Sequence, residues 1–229
     1  MTEVEHPRAI RSFVLRSGRV TEAQKRALET QWPRYGVEFS PQALDLDALF
    51  LRRAPRVAEI GFGNGDNLLA LASGHPERDH LGIEVHRAGV GRLLLGAQNA
   101  GLANLKVICH DAVEVLERQL SPRSIDEFLV LFPDPWPKKR HHKRRLIQPA
   151  FVSLLASRLA PGGVLRLATD WEPYAHHMLE VLRACPTLVN EDPSGAFCLR
   201  STERVLTRFE KRGTRLGHDV WDLAFRSRA

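Results

Sequence analysis

Residues 56–73 read RVAEIGFGNGDNLLALAS and place a glycine turn between two apolar segments. Arg56–Phe62 has the length and apolar content of a buried strand, and Asp66–Ser73 those of a short helix. The turn between them contains three glycines in the spacing G-x-G-x-G: Gly61, Gly63 and Gly65. Glycines at such a turn let backbone amides approach a ligand where side chains would collide. Asp66 occupies the position that would complete G-x-G-x-x-G, so the dinucleotide fingerprint lacks its third glycine.

The same alternation of strand and helix continues along the chain. Further strands are predicted at His80–Val85, Leu105–His110, Ile125–Phe132, Gly163–Thr169 and in VWDLAF at 220–225. Helices are predicted at Ala88–Ala100, Ala112–Leu120, Pro149–Leu159 and Pro173–Ala184. This order is typical of a doubly wound α/β fold with a mostly parallel sheet. In such folds ligands bind at the carboxyl ends of the strands.

An acid lies at or near the carboxyl end of each of the first four predicted strands. They are Glu59, Glu84, Asp111 and Asp134. Any one of them alone is explained as a solvated loop acid, but four at one edge of a sheet indicate a ligand site. Glu84 lies 23 residues after Gly61, near the spacing of roughly 20 for an acid that binds ribose hydroxyls. Acids disfavour the pyrophosphate of NAD and suit S-adenosylmethionine, which carries ribose hydroxyls, an ammonium and a sulfonium.

The positive charge of the chain is concentrated in one place. The chain has 33 Lys and Arg against 27 Asp and Glu, a formal net charge of +6. Lys138–Arg145 (KKRHHKRR) contains six Lys and Arg and no acid, so without it the balance is 27 against 27. Such a run is often only a solvated charged loop. Because it directly follows FPDPWP, with the acid Asp134, we interpret it as an RNA-phosphate contact surface.

Other features indicate an intracellular protein with a basic N-terminal arm. Three cysteines without a CxxC pair predict neither a disulfide framework nor a metal site, and fit a reducing, cytoplasmic setting. No signal peptide or membrane-spanning run is present in the sequence, and no obligate protein partner is evident. Residues 1–40 are interpreted as a mobile basic arm, in which Thr21 caps a short helix that ends before Pro33. Residues 41–229 form the main domain.

The motifs together closely resemble those of the bacterial tRNA (guanine-N7-)-methyltransferase family. The resemblance rests on EIGFGNG, LGIEV, VICHDA, FPDPWPKKRHHKRRL, RLATD and TRFEKRGTRLGHDVWDL, with IRSFVLRSGRVTEAQ near the N-terminus. It implies a Rossmann-like class I methyltransferase sheet with an antiparallel last strand. It also implies S-adenosylmethionine as cofactor, and guanine-46 in the variable loop of tRNA as substrate.

The resemblance also implies roles for individual residues. The expected cofactor-binding residues are Glu59, Gly61, Gly63, Glu84, Asp111 and Asp134, and Asp134 is also the expected catalytic residue. The expected substrate contacts are Lys138, Asp170, Thr207, Arg208, Phe209 and Glu210. From its charge, the basic run supplies the expected RNA contacts Arg140, His141, His142, Lys143, Arg144 and Arg145.

The chemistry of guanine N7 agrees with these residues. N7 has a free lone pair, so its methylation removes no proton and requires no general base. Asp134 is therefore expected to orient the substrates, although a carboxylate between two prolines is also a common turn former. Trp136 either stacks on a base or packs against the domain. Glu210 either accepts hydrogen bonds from guanine or forms a surface ion pair with Arg208 or Lys211.

Two other functions remain open at this point. DPW is similar in layout to the motif of amino-group methyltransferases that act on adenine or cytosine, although that reading leaves the basic run unexplained. An RNA-binding protein without catalysis is the second alternative, against which the complete set of strand-end acids argues.

Overall fold

The computed structural model describes residues 12–13, 20–202, 204–205, 210 and 219–228. In this part of the chain the strands are β1 (Gly36–Val37), β2 (Arg56–Ile60), β3 (Asp79–Ile83), β4 (Leu105–Ile108), β5 (Ile125–Leu131), β6 (Leu159–Thr169), β7 (Leu188–Asn190) and β8 (Trp221–Ser227). The helices are α1 (Glu22–Thr30), α2 (Trp32–Tyr35), α3 (Leu46–Phe50), α4 (Asp66–Gly74), α5 (Arg87–Asn99), α6 (Ala112–Arg118), α7 (Pro149–Arg158) and α8 (Glu172–Arg183), with a 3-10 helix at Lys139–Arg144.

The described strands form one sheet in the order β1-β4-β3-β2-β5-β6-β8-β7. The pairs from β1 to β6 are parallel, whereas β8 is antiparallel to both β6 and β7. Parallel strands joined through helices place all their carboxyl ends at one edge. We call the edge at the carboxyl ends of β2 to β6 the carboxyl edge.

Helices cover both faces of this sheet. On one face α6, α7 and α8 bury side chains against the central strands, with Phe128 and Leu165 fully buried between them. On the other face α1, α4 and α5 form a second apolar layer with β4, centred on Leu68 and Leu94. Strands buried on both faces need nearly continuous apolar sequence, as in the FLVL segment of β5. The predicted α/β class with an antiparallel last strand is confirmed.

The differences from the predicted elements are short elements that were not predicted, among them α2, α3 and the 3-10 helix, and boundaries shifted by one to four residues. Strands β1 and β7 were not predicted, because two or three residues cannot show a periodic pattern. Strand β6 begins at Leu159 rather than Gly163, since Leu159 already pairs with Ile125 across an irregularity in the register. Helix α7 consequently ends at Arg158.

The described residues between Thr21 and Val37 pack on the sheet and its helices. Thr21 caps α1 with a reciprocal capping box with Gln24, as the sequence predicted for this threonine. Tyr35 is buried and donates its hydroxyl to the Ala97 carbonyl at 3.1 Å. Strand β1 extends the sheet beyond β4. The division of the chain at residue 40 into an arm and a domain stays a prediction.

None of the described helices combines the length and the apolar content that crossing a bilayer requires.

Candidate active site at the carboxyl edge of the sheet

The glycine turn after β2 leaves its backbone open. Gly61 and Gly63 have φ angles of 70° and 57°, in the left-handed region, and a Cβ added to either would meet nothing within 4 Å. A Cβ on Gly65 would instead approach the Leu93 side chain to 2.8 Å. The first two glycines therefore permit the left-handed backbone and leave it accessible to a ligand. The third also permits close packing of α4 on α5.

Glu84 follows β3 and fixes the glycine turn. Its carboxylate accepts hydrogen bonds from the backbone N–H groups of Gly63 (2.8 Å), Val85 (2.7 Å) and His86 (2.9 Å). Glu84 is buried, with 5% of its surface exposed. The sequence placed this carboxylate at ribose hydroxyls, and the structure adds that it holds the two strand-end loops together.

Glu59 lies one residue before the end of β2 and is also buried. Its carboxylate accepts a hydrogen bond from the Asn67 side-chain amide at 2.9 Å. Burial raises the pKa of the Glu59 carboxyl to about 7; the Asn67 bond lowers it, and the charge of Glu84 adds a smaller increase. Glu59 and Glu84 therefore lie close enough to interact electrostatically, as expected for two acids at neighbouring strand ends.

Asp111 follows β4 and caps α6. Its carboxylate accepts from the Val113 N–H at 2.9 Å, which satisfies one of the free amides of the first helical turn. Beside it a cavity of about 530 Å³ opens at the ends of β3 and β4. Its lining includes Asp111, Val85, Arg87, His110, Phe13 and Trp32. That volume falls within the range of small-molecule sites.

Asp134 lies in a loop with an unusual backbone. We call residues 132–137 (FPDPWP), which follow β5, the motif loop. Phe132 and Trp136 have φ angles of 52° and 46°, which are costly for side chains of this size. Asp134 lies between them, is exposed, and has no hydrogen bond that fixes its carboxylate within the described part of the chain. The loop therefore presents a carboxylate with free acceptor sites.

The residues after Asp134 hold the motif loop in place. Trp136 donates its indole N–H to the Ser12 carbonyl at 3.2 Å, and the Arg144 guanidinium lies 5.1 Å from the centre of its ring. Arg145 donates to the Pro135 carbonyl at 3.0 Å and lies over the Tyr174 ring at 4.8 Å. In the structure Trp136 thus packs against the protein; stacking on a base is not tested.

The basic run, residues 138–145, divides into exposed and buried positions. Lys138, Arg140 and Lys143 are exposed, and Arg144 is half-buried. Partial burial and the neighbouring cations lower the pKa of His141. His142, also half-buried, lies beside the Arg145 guanidinium at 3.2 Å.

Arg145 differs from the rest of the run. It was grouped with the phosphate contacts, but only 4% of its surface is exposed, and its guanidinium bonds to the motif loop and lies over the Tyr174 ring. A side chain enclosed in this way supports the loop from inside the protein, and its contact with RNA stays a prediction.

Asp170 and Glu210 lie in different environments. Asp170 directly follows β6 and is half-buried at the carboxyl edge, next to the strand that precedes the motif loop. Glu210 was expected either to contact guanine or to form a surface ion pair, and its side chain is only 4% exposed in the structure. Its carboxylate accepts from Arg200 and Arg204, both at 2.7 Å. The alternative partners, Arg208 and Lys211, lie outside the described residues. A direct contact with guanine is not tested.

Arg204 is the centre of this buried cluster. It also donates to Asp222 on β8 at 3.0 Å, and its guanidinium lies 5.4 Å from the centre of the Phe132 ring. Burial raises the pKa of Asp222, and the charge of Arg204 opposes that increase. We call Arg200, Arg204, Glu210 and Asp222 the C-terminal network. The expected contacts Thr207, Arg208 and Phe209 lie outside the described residues.

The sequence prediction found the acids but missed the polar side chains that connect them. Asn67, Arg204 and Asp222 were not singled out, and Tyr174 was seen only as part of a helix. Asn67 had one usable signal, since it is the second residue of the helix that follows the glycine turn. Arg204 had none, because its partners Glu210 and Asp222 lie 6 and 18 residues from it in the sequence.

Comparison with known proteins identifies the family. A family model described as "Putative methyltransferase" matches residues 53–223. A tRNA (guanine-N(7)-)-methyltransferase of Leifsonia xyli subsp. xyli is 61% identical over 216 residues, 94% of this chain and 95% of that protein. One of the same name from Methylococcus capsulatus is 54% identical over 226 residues, 99% of this chain and 97% of that protein.

Solved structures agree on the fold. The 16S rRNA methyltransferase KamB superposes with a TM-score of 0.61 at 17% identity, covering 82% of this chain and 95% of that one. The cyclase SpnF superposes with a TM-score of 0.52 at 16% identity, covering 90% and 81%. Because a cyclase shares the fold, the architecture alone does not determine the reaction. The long, highly identical matches do determine the family, and they confirm the resemblance found in the motifs: the chain belongs to the tRNA (guanine-N(7)-)-methyltransferase family.

Proposed function

We propose that the protein transfers the methyl group of S-adenosylmethionine to N7 of a guanine in tRNA, and that this guanine is position 46 in the variable loop. The observation that carries the proposal is the arrangement at the carboxyl edge. Neighbouring strands end there with Glu59, Glu84, Asp111 and the exposed carboxylate of Asp134, and the exposed cations of the basic run come directly after Asp134 and its loop. Relatives that are 51–61% identical carry the name of this activity.

The cofactor residues fit S-adenosylmethionine. The turn at Gly61 and Gly63 has room for a ligand against its backbone. In our proposal Glu84 binds the ribose hydroxyls, Asp111 lies beside the adenine, and Glu59 and Asp134 face the cationic methionine end. When bound, the cofactor supplies an electrophilic methyl group on its sulfonium. The donor set consists of carboxylates, which suits a positively charged ligand and disfavours a pyrophosphate.

Catalysis then depends on alignment rather than on proton transfer. N7 attacks in the plane of the base through its lone pair, so the protein needs to hold N7 in line with the methyl group. Alignment of this kind supplies roughly 7–11 kcal/mol at best. The strained motif loop places Asp134 with free acceptor oxygens, which can accept from guanine N1–H and N2–H₂. The same charge stabilises the positive base that methyl transfer produces.

The exposed part of the basic run supplies the RNA surface. Lys138, Arg140 and Lys143 project from the 3-10 helix region directly after the motif loop. Contacts of such cations with phosphates release counterions and position the substrate without reading its sequence. We assign Lys138 and Asp170 to contacts nearest the target guanine, with Thr207, Arg208 and Phe209 as further substrate contacts. An enzyme of tRNA acts where tRNA is found, and we place it in the cytoplasm.

One experiment separates this proposal from its alternatives. The protein is incubated with methyl-labelled S-adenosylmethionine and an unmodified tRNA transcript, and the nucleosides are separated after digestion. We expect the label in 7-methylguanosine, and none from a transcript with adenine at position 46. Label in methylated adenine or cytosine would support an amino-group methyltransferase. Binding of tRNA without any transferred label would support an RNA-binding protein that lacks catalysis.

A further inference from the structure

Asn67 connects two regions that the sequence treats separately. Its amide group donates to the Glu59 carboxylate at 2.9 Å, and its side-chain oxygen accepts from the backbone N–H of Val205 at 3.2 Å. Asn67 is buried, with 4% of its surface exposed, so water does not replace either bond easily. One side chain therefore bonds to a strand-end acid of the cofactor site and to the chain beside Arg204.

The far end of this connection reaches the motif loop. Arg204, next to Val205, bonds to Glu210 and Asp222 and faces the Phe132 ring, two residues before Asp134. The path from Glu59 through Asn67 and Arg204 thus ends at the loop that presents Asp134. All of these contacts are between side chains or backbone groups that the structure describes.

The amide geometry makes the two bonds of Asn67 interdependent. In the structure the side-chain NH2 group of Asn67 faces Glu59 and donates to its carboxyl oxygen. The oxygen of the same planar group then points to the opposite side, where the Val205 N–H lies. Rotation of the side chain that breaks one bond also breaks the other. A ligand that changes the position or charge of Glu59 therefore acts on the segment at Arg204.

We infer that Asn67 and Arg204 are positioning residues that couple cofactor binding at Glu59 to RNA binding at the motif loop. The inference rests on the proposed function. Cofactor and tRNA then each raise the affinity of the protein for the other, by the same factor, as linkage requires. Neither residue needs to touch the reacting atoms for this effect.

The test measures that factor directly. Calorimetry gives the dissociation constant of S-adenosylhomocysteine for the free protein and for the protein saturated with tRNA transcript. The ratio of the two is the coupling factor. We expect at least about fivefold for the unaltered protein, the lower end of the usual range. In Asn67→Ala and in Arg204→Lys we expect a factor near one.

The second variant distinguishes coupling from damage to the cofactor site. Lysine at position 204 keeps the charge but lacks the planar guanidinium fork through which Arg204 bonds to Glu210 and Asp222. Because Arg204 does not contact the cofactor acids, Arg204→Lys should leave the affinity of the free protein for S-adenosylhomocysteine unchanged and lower only the affinity of the tRNA complex. If Arg204 had a purely structural role, its substitution would change the S-adenosylhomocysteine affinity of both the free protein and the tRNA complex, or of neither.

Matched controls come from the surface of the same protein. Asn99→Ala and Arg118→Lys alter an exposed amide and an exposed guanidinium on α5 and α6. Both should keep the factor of the unaltered protein. Three results would overturn the inference. The first is a coupling factor near one in the unaltered protein, and the second is the same coupling factor in all variants. The third is loss of the coupling factor in the controls. If Asn67→Ala does not fold, by thermal unfolding, Arg204→Lys decides alone. Formation of 7-methylguanosine by the unaltered protein tests the proposed function separately.

Discussion

For Glu84, the sequence predicts a binding role but not the hydrogen bonds that the side chain makes in the structure. Its place after β3 predicts an acid at the ribose, and that role stays a prediction. Its three backbone hydrogen bonds were not predictable, because they depend on how the turn at Gly63 meets the loop at His86. The same carboxylate therefore has a structural role and a proposed binding role, and substitutions affect both.

Glu84→Ala should weaken cofactor binding and also lower the melting temperature, while tRNA binding is retained. Hydrogen bonds to a charged group contribute about 1.5–3 kcal/mol, so the affinity loss is roughly 10- to 150-fold. Calorimetric titration with S-adenosylhomocysteine checks the first effect and thermal unfolding the second. Glu117→Ala, an exposed acid of α6, serves as the control and should change neither. Unchanged cofactor affinity in Glu84→Ala would refute the assignment.

Asp134→Asn should slow methyl transfer severely without destabilising the protein. The side chain is exposed, and asparagine is also favoured in turns, so the motif loop should keep its shape. Only the negative charge beside the reacting base is lost. Single-turnover rates at saturating cofactor and tRNA measure the effect. A near-normal rate would leave Asp134 with a role in the turn alone.

The raised pKa of Glu59 predicts a pH-dependent difference from Glu59→Gln. The folded-state pKa of about 7 lies above the ordinary value of 4.5, so the ionised carboxyl is disfavoured in the folded protein. The unaltered protein should therefore lose stability relative to the glutamine variant as pH rises from about 4.5 to 7, with no further change above that. The full difference is on the order of 3 kcal/mol. Denaturant unfolding of both proteins across this range checks it; a constant difference would contradict the prediction.

At the scale of elements, neighbouring residues of one type have different roles in the basic run. Arg144 and Arg145 are adjacent and identical in chemistry, yet one is half-buried beside Trp136 and the other is enclosed under Pro135. Sequence predicts the charge of the run but not this division, since burial is set by α8 through Tyr174. Local sequence was sufficient for the long apolar strands, which carry their own pattern. It was not sufficient for β1 and β7, which are too short to show one.

This division gives a matched experiment within the run. Replacing Arg140, Lys143 and Arg144 by glutamine should weaken tRNA binding, and each lost phosphate contact should reduce the slope of log affinity against log salt by roughly 0.7–0.9. Arg145→Gln should leave the slope unchanged and lower the turnover number, because it releases the Pro135 carbonyl. Binding across a salt series and steady-state rates measure the two effects. Equal slope changes in the two variants would show that Arg145 also contacts RNA.

At the scale of the whole molecule, the sequence predicts the sheet and the edge where the site lies, and it does not predict the connections across that edge. Repeated strand and helix signals determine the parallel sheet, and the strand-end rule then places Glu59, Glu84 and Asp111 together. The bonds of Asn67 and Arg204 join positions up to 138 residues apart. No local pattern encodes such contacts, so the C-terminal network had to be seen in three dimensions.

The position of β8 between β6 and β7 has a consequence for how the chain folds. Strand β7 pairs only with β8 in the described sheet, although it precedes β8 in the chain. It cannot join the sheet until Trp221–Ser227, separated from it by 30 residues of the chain, has paired with β6. Contacts of this sequence separation form late, because loop closure must precede them. Until that step the edge of β6, with Leu165 and Leu167, presents unpaired backbone, and the incomplete sheet is prone to aggregate.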